Sequence, residues 1–330
     1  MKILVTGATG YFGHMLALTL ARKGNIVHAL VRNPQSPLIP QHENIIAFKG
    51  DITDKNSIRP AIKDCKEVYH SAALVKLYSK DPSAFFKVNV EGTKNILSVA
   101  LEEGVKKLVF TSSGSVMGPS LKEPLTEKDP RTTAFDNDYE LTKYIGENII
   151  KEYNIRGLCA VTVYLTKIFG PGIETHPMSI NTIIKKFIRN KISFCPSPDH
   201  YISNYVFIED AINGHILAME KGVSNERYII GGANKSFRDF FQVLREQSGI
   251  KGKLFPVPRL LVSGLALLNL VQAKLSGNDP YLTMKGINHI YCNKALSSEK
   301  AIRQLGYKIT PFDEAIKKTI LFLKQKNNVS

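Results

Sequence analysis

Tyr139 and Lys143, in the run Y-E-L-T-K, stand four residues apart. On a helix that spacing puts both side chains on one face. A phenol titrates near pH 10 and is a poor acid or base at neutrality, but an ammonium one turn away favours its ionised form. Such a pair can hand a proton to a substrate oxygen or take one from it. A hydroxyl-rich stretch, T-S-S-G-S-V-M-G at 111–118, precedes it. A serine from that stretch can hold a carbonyl oxygen while the tyrosine moves the proton. This is chemistry for interconverting a carbonyl and an alcohol, and it needs a source of hydride.

The elements that must position these groups begin at the N-terminus. Lys2 to Gly13 reads K-I-L-V-T-G-A-T-G-Y-F-G, an apolar strand, then glycines at three-residue spacing, then a helical pattern in Leu16, Leu18, Leu20 and Ala21. A strand running through a glycine turn into a helix N-terminus is a pyrophosphate cradle, because backbone N–H groups and the helix dipole both favour the anion. The second strand, Ile26 to Val31, ends without the Asp or Glu that would bind a ribose 2′-hydroxyl, and Arg32 stands there instead. A guanidinium suits a 2′-phosphate, so the expected cofactor is NADP, with NAD as the alternative. A third strand, Ile45 to Phe48, leads to Asp51 and Ile52, where an adenine ring can lie; Asp54 alternatively caps the next helix. The strand Glu67 to His70 runs into Ser71, Ala72 and Ala73, small enough for backbone to lie along a cofactor, with His70 read as a packed strand-end residue. A helix over Pro82 to Glu103 carries Asn89, and a fifth strand, Lys107 to Thr111, delivers the hydroxyls. Strands alternating with helices over the first ~115 residues imply a doubly wound parallel sheet. The fold class expected is therefore α/β, a Rossmann fold with a smaller C-terminal α/β lobe. Residues 1–165 form the dinucleotide-binding domain and 166–330 mainly the substrate lobe, with about 203–222 returning to the first.

The chain has 330 residues and a formal net charge of +15. That balance favours anionic small molecules or surfaces; no nucleic-acid-binding signature is present. Four scattered cysteines, Cys65, Cys159, Cys195 and Cys292, have no metal-ligand spacing and suit a reducing compartment. Met1-Lys2 runs straight into the first strand, so the expected location is cytoplasmic.

The motifs together resemble the extended short-chain dehydrogenase/reductase superfamily, which includes the NAD-dependent epimerase/dehydratase family. They are T-G-A-T-G-Y-F-G at 6–13, G-D-I-T-D at 50–54, H-S-A-A at 70–73, V-N-V-E-G-T at 88–93, F-T-S-S at 110–113, Y-E-L-T-K at 139–143, N-Y-V-F-I-E-D-A at 204–211 and R-Y-I-I-G-G at 227–232. The resemblance spans essentially the whole chain and implies an NAD(P)-dependent oxidoreductase. It puts the catalytic serine on Ser113, with Ser112 at the preceding position and Thr111 a more distant option, and the catalytic pair on Tyr139 and Lys143. Asn89 falls on the asparagine that props the serine-bearing strand. Gly7, Thr9, Gly10, Tyr11, Phe12, Gly13, Arg32, Asp51, Ile52, Ala72 and Ala73 fall on cofactor contacts, which Tyr139 and Lys143 share. Two departures stand out: Leu165 replaces the usual proline after the sixth strand, and Met117-Gly118 replaces the usual Tyr-Gly. The second weakens a nucleotide-sugar reading.

In the second lobe, Ile180 to Arg189 is a basic helix, and Pro258 to Lys274 holds an apolar run broken by Ser263, Asn269 and Gln272. That run is too short to span a bilayer. It is a pocket-lining helix, a homodimer or peripheral membrane contact, or an ordinary core helix. With G-N-D-P at 277–280 and S-S-E-K-A-I-R-Q-L-G-Y at 297–307, it is similar to the dihydroflavonol-reductase and 3β-hydroxysteroid-dehydrogenase branch and to hopanoid-associated epimerase-type proteins. The expected function is reduction of a ketone or aldehyde on a fairly apolar small molecule with NADPH. The alternatives are an NAD-dependent nucleotide-sugar epimerase or dehydratase, and a non-catalytic dinucleotide-binding protein.

Overall fold

The computed structural model describes residues 1–76, 79, 81–175, 179–276 and 284–327. The G-N-D-P stretch lies outside them. Apolar runs closed by turns become β1 (Lys2–Thr6), β2 (Ile26–Val31), β3 (Ile45–Lys49), β4 (Glu67–His70), β5 (Lys107–Ser113) and β6 (Ala160–Leu165). The crossovers between them carry α1 (Tyr11–Arg22), α2 (Lys55–Ile62), α3 (Ser83–Phe85), α4 (Gly92–Glu102) and α5 (Asp138–Ile155). Five of the six residues of β2 and all six of β6 are buried, as expected of strands covered on both faces. Asp54 caps α2 by accepting from Asn56 N at 3.0 Å, so the capping reading of that residue holds.

Beyond β6 the chain forms β7 (Lys167–Phe169), α6 (Ile180–Asn190), β8 (Ile192–Ser197), β9 (Ile202–Phe207), α7 (Ile208–Lys221), β10 (Arg227–Ile230) and β11 (Ala233–Ser236). Then follow α8 (Phe237–Ser248), β12 (Lys253–Pro258), α9 (Arg259–Ser276), α10 (Met284–Ile290), α11 (Glu299–Leu305) and α12 (Phe312–Asn327). The main sheet has seven parallel strands in the order β3-β2-β1-β4-β5-β6-β10. The chain's return from the second lobe is shifted from the expected 203–222: β9 stays in a small sheet, α7 covers β5 and β6, and β10 adds the last strand. The order reverses between β1 and β4, and the carboxyl ends of parallel strands beside such a switch form a ligand crevice. Two small sheets, β11-β9-β7 and β12-β8, build the second lobe.

The helix expected over 82–103 is not regular. Residues Phe86–Glu91 form a π-helical turn between α3 and α4. Such turns widen the helix by one residue and recur at functional sites. Here the turn carries Asn89.

Candidate active site

The glycine turn fits a pyrophosphate. Gly7 has φ +77°, and a Cβ there would stand 2.8 Å from the Ala72 nitrogen. A Cβ on Gly13 would stand 2.3 Å from the Gly7 carbonyl oxygen. The strand, the turn, α1 and the Ser71–Ala72 backbone therefore close on one another with no room for side chains. Gly10 donates to Gly7 O at 2.9 Å and stands at the N-cap of α1. No side chain caps that helix and its first turn holds no acidic residue, so its positive end is not neutralised from within. Thr9 stays in the turn between Gly7 and Gly10.

Two expected cofactor contacts are engaged elsewhere. The Tyr11 phenol donates to Gly170 O at 2.7 Å, and burial holds its pKa far above the usual value. Ile52 is a core residue packed where Gly92 lacks a side chain. Phe12 is buried with its ring 4.3 Å from that of His215, yet it also reaches the main cavity. Arg32 is exposed at the end of β2 and shares a small pocket of about 390 Å³ with Lys49, Gly50, Asp51, Asp54 and Ser57. Asp51 uses Oδ1 to accept from Thr53 N and Oγ1, both at 2.9 Å. His70 is fully buried between the Thr6 and Thr93 hydroxyls at 2.8 and 3.0 Å, and desolvation lowers its pKa to about 3. It packs as a neutral strand-end residue.

The acid/base groups converge. Asn137 caps α5 by accepting from Glu140 N at 2.9 Å, which fixes the helix start one residue before Tyr139. Ser113 closes β5; its hydroxyl bonds Ser115 Oγ at 2.9 Å and faces the Tyr139 phenol, whose pKa it lowers. Lys143 is 2 % exposed, with Nζ 4.1 Å from the centre of the Phe110 ring. Burial drives its pKa down to about 7, with Glu147 opposing. The expected depression of the Tyr139 pKa is not found. Burial raises it, the Ser113 bond lowers it less, and Glu140 raises it further.

Two roles differ from those expected. Asn89 does not brace β5. Its Oδ1 accepts from Leu74 N at 2.7 Å, and its Nδ2 donates to Leu74 O at 3.3 Å and Thr142 Oγ1 at 3.0 Å. The amide ties the loop after β4 to the Tyr139 helix, because the π-helical turn aims it toward α5. The brace on β5 is Glu147, which the sequence reading missed. It accepts from Ser112 Oγ at 2.5 Å and from Tyr164 OH at 2.7 Å, joining α5 to β5 and β6. Its signal was present: Tyr139, Lys143 and Glu147 repeat every four residues on one face.

A cavity of about 710 Å³ opens over Ser113, Tyr139 and Lys143 and runs into the second lobe. Ala73 and Phe12 line it on the side of the glycine turn; Leu165, Ile183, Phe194, Phe240 and Val262 are among its largely apolar walls. Leu165, where a proline was expected, is a wall of this cavity. Met117 packs with Val116, Tyr164, Ile229 and Leu296 in a separate buried cluster.

A protein-family model, the NAD dependent epimerase/dehydratase family, matches residues 3–231. The chain belongs to that family. It is an NAD(P)-dependent enzyme of the extended short-chain dehydrogenase/reductase type, with 3β-hydroxysteroid-dehydrogenase-like and dihydroflavonol-reductase-like relatives. It is 28% identical over 334 residues to sterol demethylase protein B of Methylococcus capsulatus, covering 100% of both chains. It is 27% identical to the 3-beta-hydroxysteroid dehydrogenase of Mycolicibacterium neoaurum, over 93% of this chain and 86% of that one. Among solved structures, the UDP-glucose 4-epimerase of Thermotoga maritima with UDP-glucose shares the fold at a TM-score of 0.82 and 22% identity, covering 99% of this chain and 100% of that one. Phe12, next to the glycine turn, and the Ser113–Tyr139–Lys143 group line one cavity.

Proposed function

We propose that this family member reduces a ketone or aldehyde on a fairly apolar small molecule, using NADPH. The observation that carries the reading is the apolar cavity opening directly over Ser113, Tyr139 and Lys143. Gly7, Gly10, Gly13 and the N-terminus of α1 would hold the pyrophosphate, and Ala72 and Ala73 the nicotinamide half. When bound, the dinucleotide supplies the hydride. Ser113 Oγ orients the carbonyl oxygen, Tyr139 donates its proton to that oxygen as negative charge develops, and Lys143 supports the phenolate left behind. Glu147 and Asn89 hold the helix that presents the pair. The names of the two curated relatives above, a sterol demethylase protein and a hydroxysteroid dehydrogenase, support an apolar substrate.

The nucleotide-sugar reading draws on the family model and on the shared fold. The basic helix α6 that would hold its diphosphate turns Ile180 and Ile183 to the cavity, while Lys185 lies 3.3 Å from Glu174. Helix α9 is not an ordinary core helix: Val262 lines the cavity, but Leu260, Leu261, Leu265 and Leu268 are each more than half exposed. We propose an apolar contact through that face, with a bilayer surface or a second copy. None of the described helices is long and apolar enough to cross a membrane.

Cofactor choice tests the first half of the reading. Titration of the protein with NADPH and NADH, followed by cofactor fluorescence, is expected to show tighter NADPH binding. Arg32 and Lys49 line one small pocket at the end of β2, where this reading puts the 2′-phosphate. Arg32→Glu is expected to weaken NADPH by about tenfold or more, the loss of a charge-assisted pair, and to leave NADH within about twofold. Tighter binding of NADH to the wild type contradicts the assignment and favours the epimerase reading.

A further inference from the structure

We infer that the substrate's apolar body carries a carboxylate, and that Lys167, positioned by its bond to Ser203, receives it inside the cavity. The inference rests on the reductase reading and names the substrate class more closely.

Lys167 opens β7, lines the cavity, and donates to Ser203 Oγ at 2.7 Å. An ammonium has three protons to place. Among the described residues no carboxylate pairs with it, and its nearest cation-facing rings, Tyr205 and Phe237, lie 5.7 and 6.0 Å away. Lys294, from the far end of the chain, lines the same cavity. The acid beside Lys294 is shared: Glu140 stands 3.7 Å from it and 2.9 Å from Arg131. Lys294 is therefore drawn into a network with Glu140 and Arg131, whereas Lys167 feels Lys294 only as repulsion. Burial and that repulsion bring the Lys167 pKa down to about 8, so the charge is retained at neutral pH without a counter-ion. A half-buried cation without an anionic partner is costly until one meets it.

The ammonium's remaining protons offer donors to one oxyanion. The walls around them decide what bears it. Phe194, Phe240, Val257 and Val262 suit hydrocarbon, whereas a nucleotide diphosphate would bury ribose hydroxyls and a second phosphate against them. A carboxylate on an apolar frame matches both halves of the site.

The test uses the full chain saturated with NADP and two dead-end probes of equal length, decanoate and 1-decanol, measured by calorimetry. Decanoate is expected to bind the wild type about tenfold or more tighter than the alcohol. Lys167→Met is expected to erase that preference, Lys167→Arg to keep most of it, and Ser203→Ala to reduce it. Retained NADP affinity shows that each variant is folded. Equal affinity of the two probes for the wild type, no binding of decanoate, or a preference that survives in Lys167→Met overturns the proposal. So does Lys167-dependent binding of UDP-glucose. Failure of the wild type to reduce any neutral carbonyl strikes the reductase reading alone, since the acid-over-alcohol preference is measured without turnover.

Discussion

Tyr139→Phe is expected to lower carbonyl reduction by about 10³-fold, the scale of a lost general acid, while cofactor affinity stays within about twofold. The substitution removes one oxygen and keeps the ring. Ser113 keeps Ser115 Oγ at 2.9 Å, and Lys143 keeps its place over Phe110. The cleft therefore holds its shape and loses its proton donor. Steady-state kinetics beside a cofactor titration separate the two effects. Retained turnover removes Tyr139 as the acid. Lost cofactor binding instead makes Tyr139 part of the dinucleotide site first.

Gly13→Ala is expected to weaken cofactor binding by about 100-fold or more and to destabilise the protein by about 1–3 kcal/mol. The added Cβ would stand 2.3 Å from Gly7 O, 2.7 Å from Gly7 C and 2.9 Å from Ser71 Oγ. Two of these are backbone atoms of the turn itself, so no side chain can swing away. Helix α1 has to withdraw from β1, and its N-terminal N–H groups withdraw with it. Gly264→Ala in α9 is the matched control, because a Cβ there meets nothing within 4 Å. Thermal unfolding with and without NADPH reads both quantities. Unchanged cofactor affinity in Gly13→Ala contradicts the assignment of this turn as the pyrophosphate cradle.

What could be read from the chain alone was local. The β1–turn–α1 unit is contiguous, and its glycines are required by contacts within some seventy residues. Tyr139 and Lys143 share a helix face by spacing alone. Asp54 caps α2 two residues ahead of the amide it accepts from. The misread parts depend on distant partners. Asn89 points to α5 because a π-helical turn rotates it, and a 3.6-residue pattern does not reveal one extra residue in a turn. Glu147 braces β5 and β6 through Ser112 and Tyr164, residues that only the parallel pairing Ser112↔Tyr164 sets side by side. Lys167 and Lys294 meet across the cavity although 127 positions separate them. β10 reads as any short apolar strand, and only the sheet shows that it pairs with β6. The rise in the Tyr139 pKa is illegible for a similar reason: spacing shows a neighbouring amine but not the burial of the phenol.

The most direct measurement follows a label. The wild-type protein is incubated with NADPH carrying deuterium at the transferring position of the nicotinamide and a panel of apolar oxo acids and neutral ketones, and the products are analysed by mass spectrometry. The account predicts one deuterium on the new carbinol carbon and stoichiometric oxidised cofactor. Unreacted carbonyls together with conversion of UDP-glucose to its 4-epimer, with no net cofactor consumed, would contradict it.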